Sequence, residues 1–128
     1  MLLLDTCALL WMVDDPAELS TRARQLIETE TEALLLSAIS VYEIAAKHRR
    51  QRLILPCEPR EWLLEAISHY DITQVPVDAD LCLAANELPL IHSDPFDRLI
   101  IATAMANAAA IITADRQIAA YPGVSVQW

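Results

Sequence analysis

Short apolar runs alternate with longer segments of helical periodicity along the whole chain. The apolar runs predict strands at residues 2–4, 33–36, 72–77, 111–113 and 124–127. The segments between them predict helices at residues 6–13, from a Ser20 cap to about 32, from 40 through the basic stretch that follows, 60–70, 78–88 and 94–109. Pro76 favours an edge position for its strand, because proline cannot donate to a ladder.

Strands that alternate with helices throughout predict an α/β fold, in which a parallel sheet of four to five strands is covered by helices on both faces. The chain has 128 residues and no linker or repeat, so we expect one domain over residues 1–128. A hydrophobic content of 55% suffices for a core, and no apolar run is long enough to span a bilayer. Since a secretion signal is also missing, we expect a soluble cytoplasmic protein.

The composition excludes several common kinds of site. The single glycine, Gly123, excludes the glycine-rich loops of nucleotide-driven motors and dinucleotide-dependent dehydrogenases, whose backbones must approach phosphates closely. The three cysteines, Cys7, Cys57 and Cys82, have no zinc-site spacing and an odd count. We therefore interpret them as small buried thiols in a reducing compartment.

Four acidic residues, Asp5, Glu43, Asp97 and Asp115, stand beside apolar runs where a charge is out of place. Asp5 and Asp115 each follow a predicted strand, and Glu43 opens the helix after another. Carboxyl ends of parallel strands meet at one edge of a sheet, so these three should lie close together. The predicted topology does not obviously bring Asp97 there. Gathered carboxylates repel unless a cation holds them, so the pattern predicts a divalent metal site.

Each acid also has a purely structural interpretation. Ser40 and Glu43 have the spacing of a capping box, and Glu43 could pair with Lys47 one turn later. Asp94 before Pro95 is interpreted as a helix cap, and Asp97 suits the dipole of that helix. In the same way Asp5 could cap its helix and Asp115 could sit in a turn. His92 is interpreted as a packed or capping residue.

Four stretches, in this order and with these spacings, resemble PIN-domain ribonucleases, specifically the VapC-type toxins of bacterial toxin–antitoxin modules. They run from near the first residue to Asp115 and so cover almost the whole chain. The stretch from His92 to Ala102 is the most specific. The four are Leu3-Leu4-Asp5-Thr6-Cys7-Ala8-Leu9-Leu10-Trp11, Ser37-Ala38-Ile39-Ser40-Val41-Tyr42-Glu43-Ile44, His92-Ser93-Asp94-Pro95-Phe96-Asp97-Arg98-Leu99-Ile100-Ile101-Ala102 and Ile112-Thr113-Ala114-Asp115.

The resemblance implies a three-layer α/β/α PIN-like domain that cleaves RNA with Mg²⁺, or with Mn²⁺, to leave a 3′-hydroxyl and a 5′-phosphate. It brings Asp97 to the other acids and makes all four catalytic. Asp5 and Asp97 would ligate metal directly, and Asp115 directly or through water. Glu43 would orient or deprotonate the attacking water. The resemblance also implies a cognate antitoxin and a homodimer, and Thr6 and Thr113 would support the acids as hydroxyl groups.

The chain has a net charge of −9, so its overall field would not attract RNA. Residues 47–52 depart from this balance, since they hold the only lysine and three arginines. We predict RNA contacts at Lys47, Arg49 and Arg50, although a solvated helix end with favourable charges near its C-terminus explains the same segment.

Other classes of function fit the sequence less well than a metal-dependent ribonuclease does. A catalytically silent PIN-like module that binds RNA or protein is disfavoured by the presence of all four acids. A phosphatase would want a second aspartate two residues after Asp5, where Cys7 stands. A phosphoreceiver domain would want a lysine late in the chain, and Lys47 is the only lysine.

Overall fold

The computed structural model describes residues 1–29 and 33–128. Five strands are found in this part of the chain: β1 (Leu2–Leu4), β2 (Leu34–Ser37), β3 (Ile72–Val75), β4 (Ala110–Ile112) and β5 (Val126–Gln127). The helices are α1 (Thr6–Asp14), α2 (Thr21–Thr29), α3 (Ala38–Arg49), α4 (Pro59–Tyr70), α5 (Ala79–Glu87), α6 (Pro95–Ala106) and α7 (Arg116–Ala119), with a 3₁₀ turn at Pro16–Glu18.

The strands form one parallel sheet in the order β3-β2-β1-β4-β5. Leu3 of the central strand pairs with Leu35 on one side and Ile111 on the other. β3 lies at an edge, as Pro76 directly after it predicts. The predicted α/β/α fold with four to five parallel strands is therefore confirmed.

Two apolar cores lie on opposite faces of this sheet, because successive side chains of a strand point to opposite sides. Leu2 and Leu4 pack in a core with residues of α1, α2, α3 and α4, among them Leu9 and Trp62. Leu3 packs in the other core, with residues of α6 and α7. No helix in the described part of the chain is long and apolar enough to cross a membrane.

The start of α3 differs from the sequence prediction. The helix begins at Ala38, and the hydroxyl of Ser37 caps it by accepting from the Ile39 amide. The predicted capping box of Ser40 and Glu43 is therefore wrong. Ser40 lies inside the first turn and is buried, and Glu43 falls in the second turn.

Other boundaries move by a few residues. Ser20 caps α2 as predicted, because its hydroxyl accepts from the Ala23 amide. The predicted continuation of that helix over residues 30–32 lies outside the described residues. The helix predicted to end near Ala109 ends at Ala106, and the backbone turns through Ala108 at φ 51°. The last strand is shorter than predicted, and the sequence pattern does not predict α7 or the 3₁₀ turn.

The exposure of the cysteines also differs from the prediction. Cys7 and Cys82 are exposed and Cys57 is half-buried, so the prediction that the three thiols are buried is wrong.

The direction of α6 explains how Asp97 reaches the carboxyl edge of the sheet. This helix leads into β4 through a short connection at residues 107–109. A helix that feeds a parallel strand through such a connection runs antiparallel to it, so its first turn lies beyond the carboxyl end of that strand. Asp97 stands in that first turn.

Candidate functional site

Asp5 is a buried carboxylate at the end of the central strand. It caps α1, because its Oδ1 accepts from the Ala8 amide at 2.7 Å, and its own amide donates to the Ile112 carbonyl of β4. Burial raises the pKa of Asp5 above 3.8, and the charges of Asp115 and Glu43 raise it further. Hydrogen bonds from the Thr113 hydroxyl and the Ala8 amide act in the opposite direction. The ionised carboxylate is thus held in place but poorly solvated.

Glu43 projects from α3 and has a partner on each oxygen. The Thr6 hydroxyl donates to Oε1 at 2.7 Å, and the same hydroxyl lies 3.1 Å from the Ser40 hydroxyl. Lys47 lies 2.8 Å from Oε2, and this contact raises the pKa of the lysine. The pairing of Glu43 with Lys47 expected from their spacing is therefore present. Thr6 supports Glu43 and so links α1 to α3.

Asp97 is in contact with His92 at the start of α6. His92 Nε2 lies 3.0 Å from Asp97 Oδ2, and His92 Nδ1 accepts from the Asp94 amide at 3.2 Å. A ring whose Nδ1 accepts must carry its proton on Nε2, so the ring donates to Asp97. Burial raises the pKa of Asp97 to about 6, together with the charges of Asp94 and Asp115, whereas His92 lowers it.

Asp115 begins the short α7. Its Oδ1 accepts from the Gln117 amide at 2.8 Å, and its own amide donates to the Thr113 hydroxyl oxygen at 3.0 Å. Thr113 is fully buried and also hydrogen-bonds Asp5. One threonine therefore connects two of the acids. Asp94 is the predicted cap of α6, since its Oδ1 accepts from the Phe96 amide.

The four acids lie near enough to influence each other's ionisation. Asp115 and Glu43 raise the pKa values of both Asp5 and Asp97, and the Cys7 thiol has its pKa raised by burial and then by Asp5, Glu43 and Asp97. They do not form a closed ligand cage. Among the described residues, the group whose ligand atoms all lie within 4.8 Å of one another is His92, Asp94 and Asp97.

The donor set fits a hard divalent cation. All four acids offer oxygen, the ligand that Mg²⁺ and Mn²⁺ prefer, and Mg²⁺ keeps several waters, so it does not need a closed protein cage. Lys47 pairs with one of these carboxylates. Burial is the largest cause of the raised pKa values of Asp5 and Asp97, and the negative charges of Asp115 and Glu43 raise both values further. A bound cation would reduce the repulsion between these carboxylates.

Sequence reasoning missed how firmly the segment before α6 is anchored. Arg98 is buried and donates to the carbonyl oxygens of Leu88, Pro89 and His92. The Tyr121 hydroxyl accepts from the His92 amide at 2.9 Å and from Arg98, and it lies 3.1 Å from the His92 carbonyl. These contacts fix the backbone of His92 and thereby its ring against Asp97. The buried guanidinium is satisfied by these acceptors.

The basic stretch begins beside the acids and leaves them along α3. Arg49 and Arg50 are exposed, and α3 ends at Arg49. At 100° per residue, Arg50 shares a side of the helix with Glu43 and Lys47. Arg49 lies on the side of Tyr42 and borders a hollow with Leu55 and Glu58.

Comparison with known proteins shows what this chain is similar to. The PIN domain family matches residues 2–124. The chain is 33% identical over 117 residues to "Ribonuclease VapC22" of Mycobacterium tuberculosis, covering 91% of this chain and 88% of that protein. Its fold is similar to that in DNA-bound VapBC from Salmonella typhimurium, at a TM-score of 0.70 and 14% identity, over 98% of this chain and 96% of the other. The fold is also similar to that in VapBC2 from Rickettsia felis bound to a DNA fragment from the promoter, at a TM-score of 0.70 and 15% identity, over 98% of this chain and 96% of the other.

Acidification should stabilise the protein when divalent metal is chelated. The pKa of Asp97 is about 6 in the folded protein against 3.8 for the ordinary group. The folded state therefore binds more protons between these values, and stability falls as pH rises through this window. Asp97→Asn keeps an acceptor for His92 but does not titrate, so it should flatten this part of the profile. We would measure the melting temperature against pH in EDTA for both proteins. If the melting temperatures of the two proteins ran parallel across this pH window, the raised pKa of Asp97 in the folded protein would be contradicted.

Tyr121→Phe should lower the free energy of unfolding by about 1–3 kcal/mol, because it removes from a buried side chain the hydroxyl that accepts from the His92 amide and from Arg98. Tyr70→Phe is the matched control. Its hydroxyl donates to the Met12 carbonyl at 3.3 Å from a half-buried side chain, so its removal should cost less. Urea unfolding would measure both. Equal effects from the two variants would show that Tyr121 does not anchor the segment.

Proposed function

We propose, from the premise that this chain belongs to the PIN domain family, that it is a metal-dependent endoribonuclease and the toxin of a toxin–antitoxin pair. The observation that carries the proposal is the set of acids at the carboxyl edge of the sheet. Asp5, Glu43, Asp97 and Asp115 come from separate elements, yet the charges of Asp115 and Glu43 raise the pKa values of both Asp5 and Asp97. The similarity to a protein named a ribonuclease supports RNA as the substrate.

Asp5 and Asp97 would hold the metal, Mg²⁺ or Mn²⁺, and Asp115 would hold it directly or through water. When bound, the cation neutralises charge on the phosphate and lowers the pKa of water. The protein supplies fixed oxygen positions. Thr113 holds the Asp5 carboxylate, the Gln117 amide holds Asp115, and His92 holds Asp97.

Glu43 would orient the attacking water and take its proton. The water oxygen forms a bond to phosphorus, the bond from phosphorus to the 3′ oxygen breaks, and that oxygen takes a proton from solvent, to which Glu43 returns the proton that it accepted. The products are a 3′-hydroxyl and a 5′-phosphate. Thr6 fixes Oε1 of Glu43, whereas Oε2 is paired with Lys47. An RNA phosphate that attracts Lys47 would free Oε2 for the water.

Lys47, Arg49 and Arg50 are proposed to bind phosphates next to the site. Lys47 already lies against Glu43, and Arg50 follows on the same side of α3. Arg49 points to the side that carries Tyr42. These cations give an acidic protein a local stretch of positive charge along which an RNA strand can lie.

An antitoxin and a second copy of the chain are the proposed protein partners, and the protein would act in the cytoplasm. Support comes from relatives in VapBC and FitAB complexes. The apolar helix faces that carry Ala23 and Trp62 are buried in the core, so they are not available for such contacts. Leu64 on α4 is 61% exposed and borders a groove with Val41 and Leu63, which makes this groove the better candidate.

Asp5→Asn should abolish RNA cleavage and leave the fold intact, because asparagine caps a helix as well as aspartate does. Mg²⁺ should raise the melting temperature of the wild type by binding only the folded state, and raise that of Asp5→Asn much less. Asp5→Ala should be about 1 kcal/mol less stable than Asp5→Asn in EDTA, since it loses the cap. Cleavage would be followed on labelled RNA with an EDTA control. Wild-type rates in Asp5→Asn would reject the mechanism.

Arg49→Ala combined with Arg50→Ala should weaken RNA binding and reduce its dependence on salt. Each phosphate contact to a single strand contributes about 0.7 to the slope of log affinity against log salt, so the slope should fall by about 1.4. Arg22→Ala, an exposed arginine of α2, is the control for charge. Anisotropy of labelled RNA at several salt concentrations would measure this. An unchanged slope would remove both arginines from the interface.

A further inference from the structure

Two aromatic rings lie beside the acids without a role in the proposed chemistry. Tyr42 precedes Glu43 on α3, and Phe96, the only phenylalanine of the chain, precedes Asp97 on α6. Their ring centroids are 6.0 Å apart at an interplanar angle of 34°. The pair therefore joins the two helices next to two of the four acids. We call it the aromatic shelf.

The shelf is open to solvent. Tyr42 is 62% exposed, and Phe96, in the first turn of α6, is half-buried. Among the large apolar side chains exposed in the described part of the chain, Tyr42 is the one aromatic residue, and the others are aliphatic or methionine. An exposed ring that contributes little to the core provides a flat surface for a ligand with a π-face.

We propose that the aromatic shelf stacks an unpaired base of the RNA, next to the bond that is cut. This inference rests on the proposed function. Aromatic side chains stack bases that are free of a duplex, and every base has a π-face, so the contact tolerates many sequences. The acids beside the shelf mark the reacting phosphate, and Lys47, Arg49 and Arg50 supply positive charge for the phosphates on either side. This complementarity favours RNA over a protein partner at this surface.

Binding would be measured in the Asp5→Asn background, so that RNA is not consumed, with a short fluorescein-labelled single-stranded RNA as the probe. Tyr42→Phe keeps the ring and should bind within about twofold of the parent. Tyr42→Leu keeps an apolar side chain without a ring and should bind about five- to 20-fold more weakly. Because Tyr42 is exposed, Tyr42→Phe should keep the parent melting temperature, and Tyr42→Leu, which loses the ring contact with Phe96, should lower it only slightly. Equal affinities of the Leu and Phe variants would overturn the stacking role and leave a protein contact as the explanation.

A series of RNAs, each with one abasic position, makes the test specific. At the stacked position, loss of the base should weaken binding by the parent protein about as much as Tyr42→Leu does, and the two losses should not add. Additive losses at every position would refute the shelf. The proposed function is tested separately with wild-type protein. If it cleaves no RNA with Mg²⁺, that function fails, whereas if cleavage by Tyr42→Leu matches wild type, the shelf alone fails.

Discussion

Repulsion among the carboxylates at the carboxyl edge of the sheet is the interaction on which the construction of the site depends. Each acid is held by donors from its own surroundings. Asp5 and Asp115 cap helices, and Asp97 stands in the first turn of another, so three helix N-termini face the cluster. The positive end of a helix dipole favours an anion within the first turn. Glu43, which lacks a helix terminus, has Thr6 and Lys47 instead.

The structural and functional interpretations of these acids are alternatives when only the sequence is considered. In the structure they are compatible. Capping orients a carboxylate with one oxygen and leaves the other oxygen for a ligand. Asp5 accepts from the Ala8 amide through Oδ1, and Asp115 accepts from the Gln117 amide in the same way. The capping box at Glu43 was the exception. Ser37 and Ser40 are equally good caps by residue type, and the end of β2 decides between them.

The fold was predictable because each strand and most helices carry a clear local pattern, and the parallel pairing follows from their alternation. Proximity of Asp97 to the other acids was also within reach, since α6 must run antiparallel to the strand that it feeds. The contacts of His92 were not. Its backbone depends on Tyr121, 29 residues later, and on Arg98, whose acceptors apart from the Tyr121 hydroxyl are carbonyl groups that carry no side-chain signal. Contacts of this kind form only when the fold brings distant loops together.

The segment from His92 to Arg98 shows why a short motif can be so specific. Asp94 caps the helix, Phe96 meets Tyr42, Asp97 joins the acids, and Arg98 fixes the chain before them. Neighbouring residues on a helix point about 100° apart, so Phe96, Asp97 and Arg98 reach three different surroundings from one turn, whereas Asp94 stays close to Asp97. Any change that loosens the Arg98 anchor would move the carboxylate and the ring together. Under the proposed function, metal affinity and RNA binding should therefore be coupled through this single turn, although the two surfaces are chemically distinct.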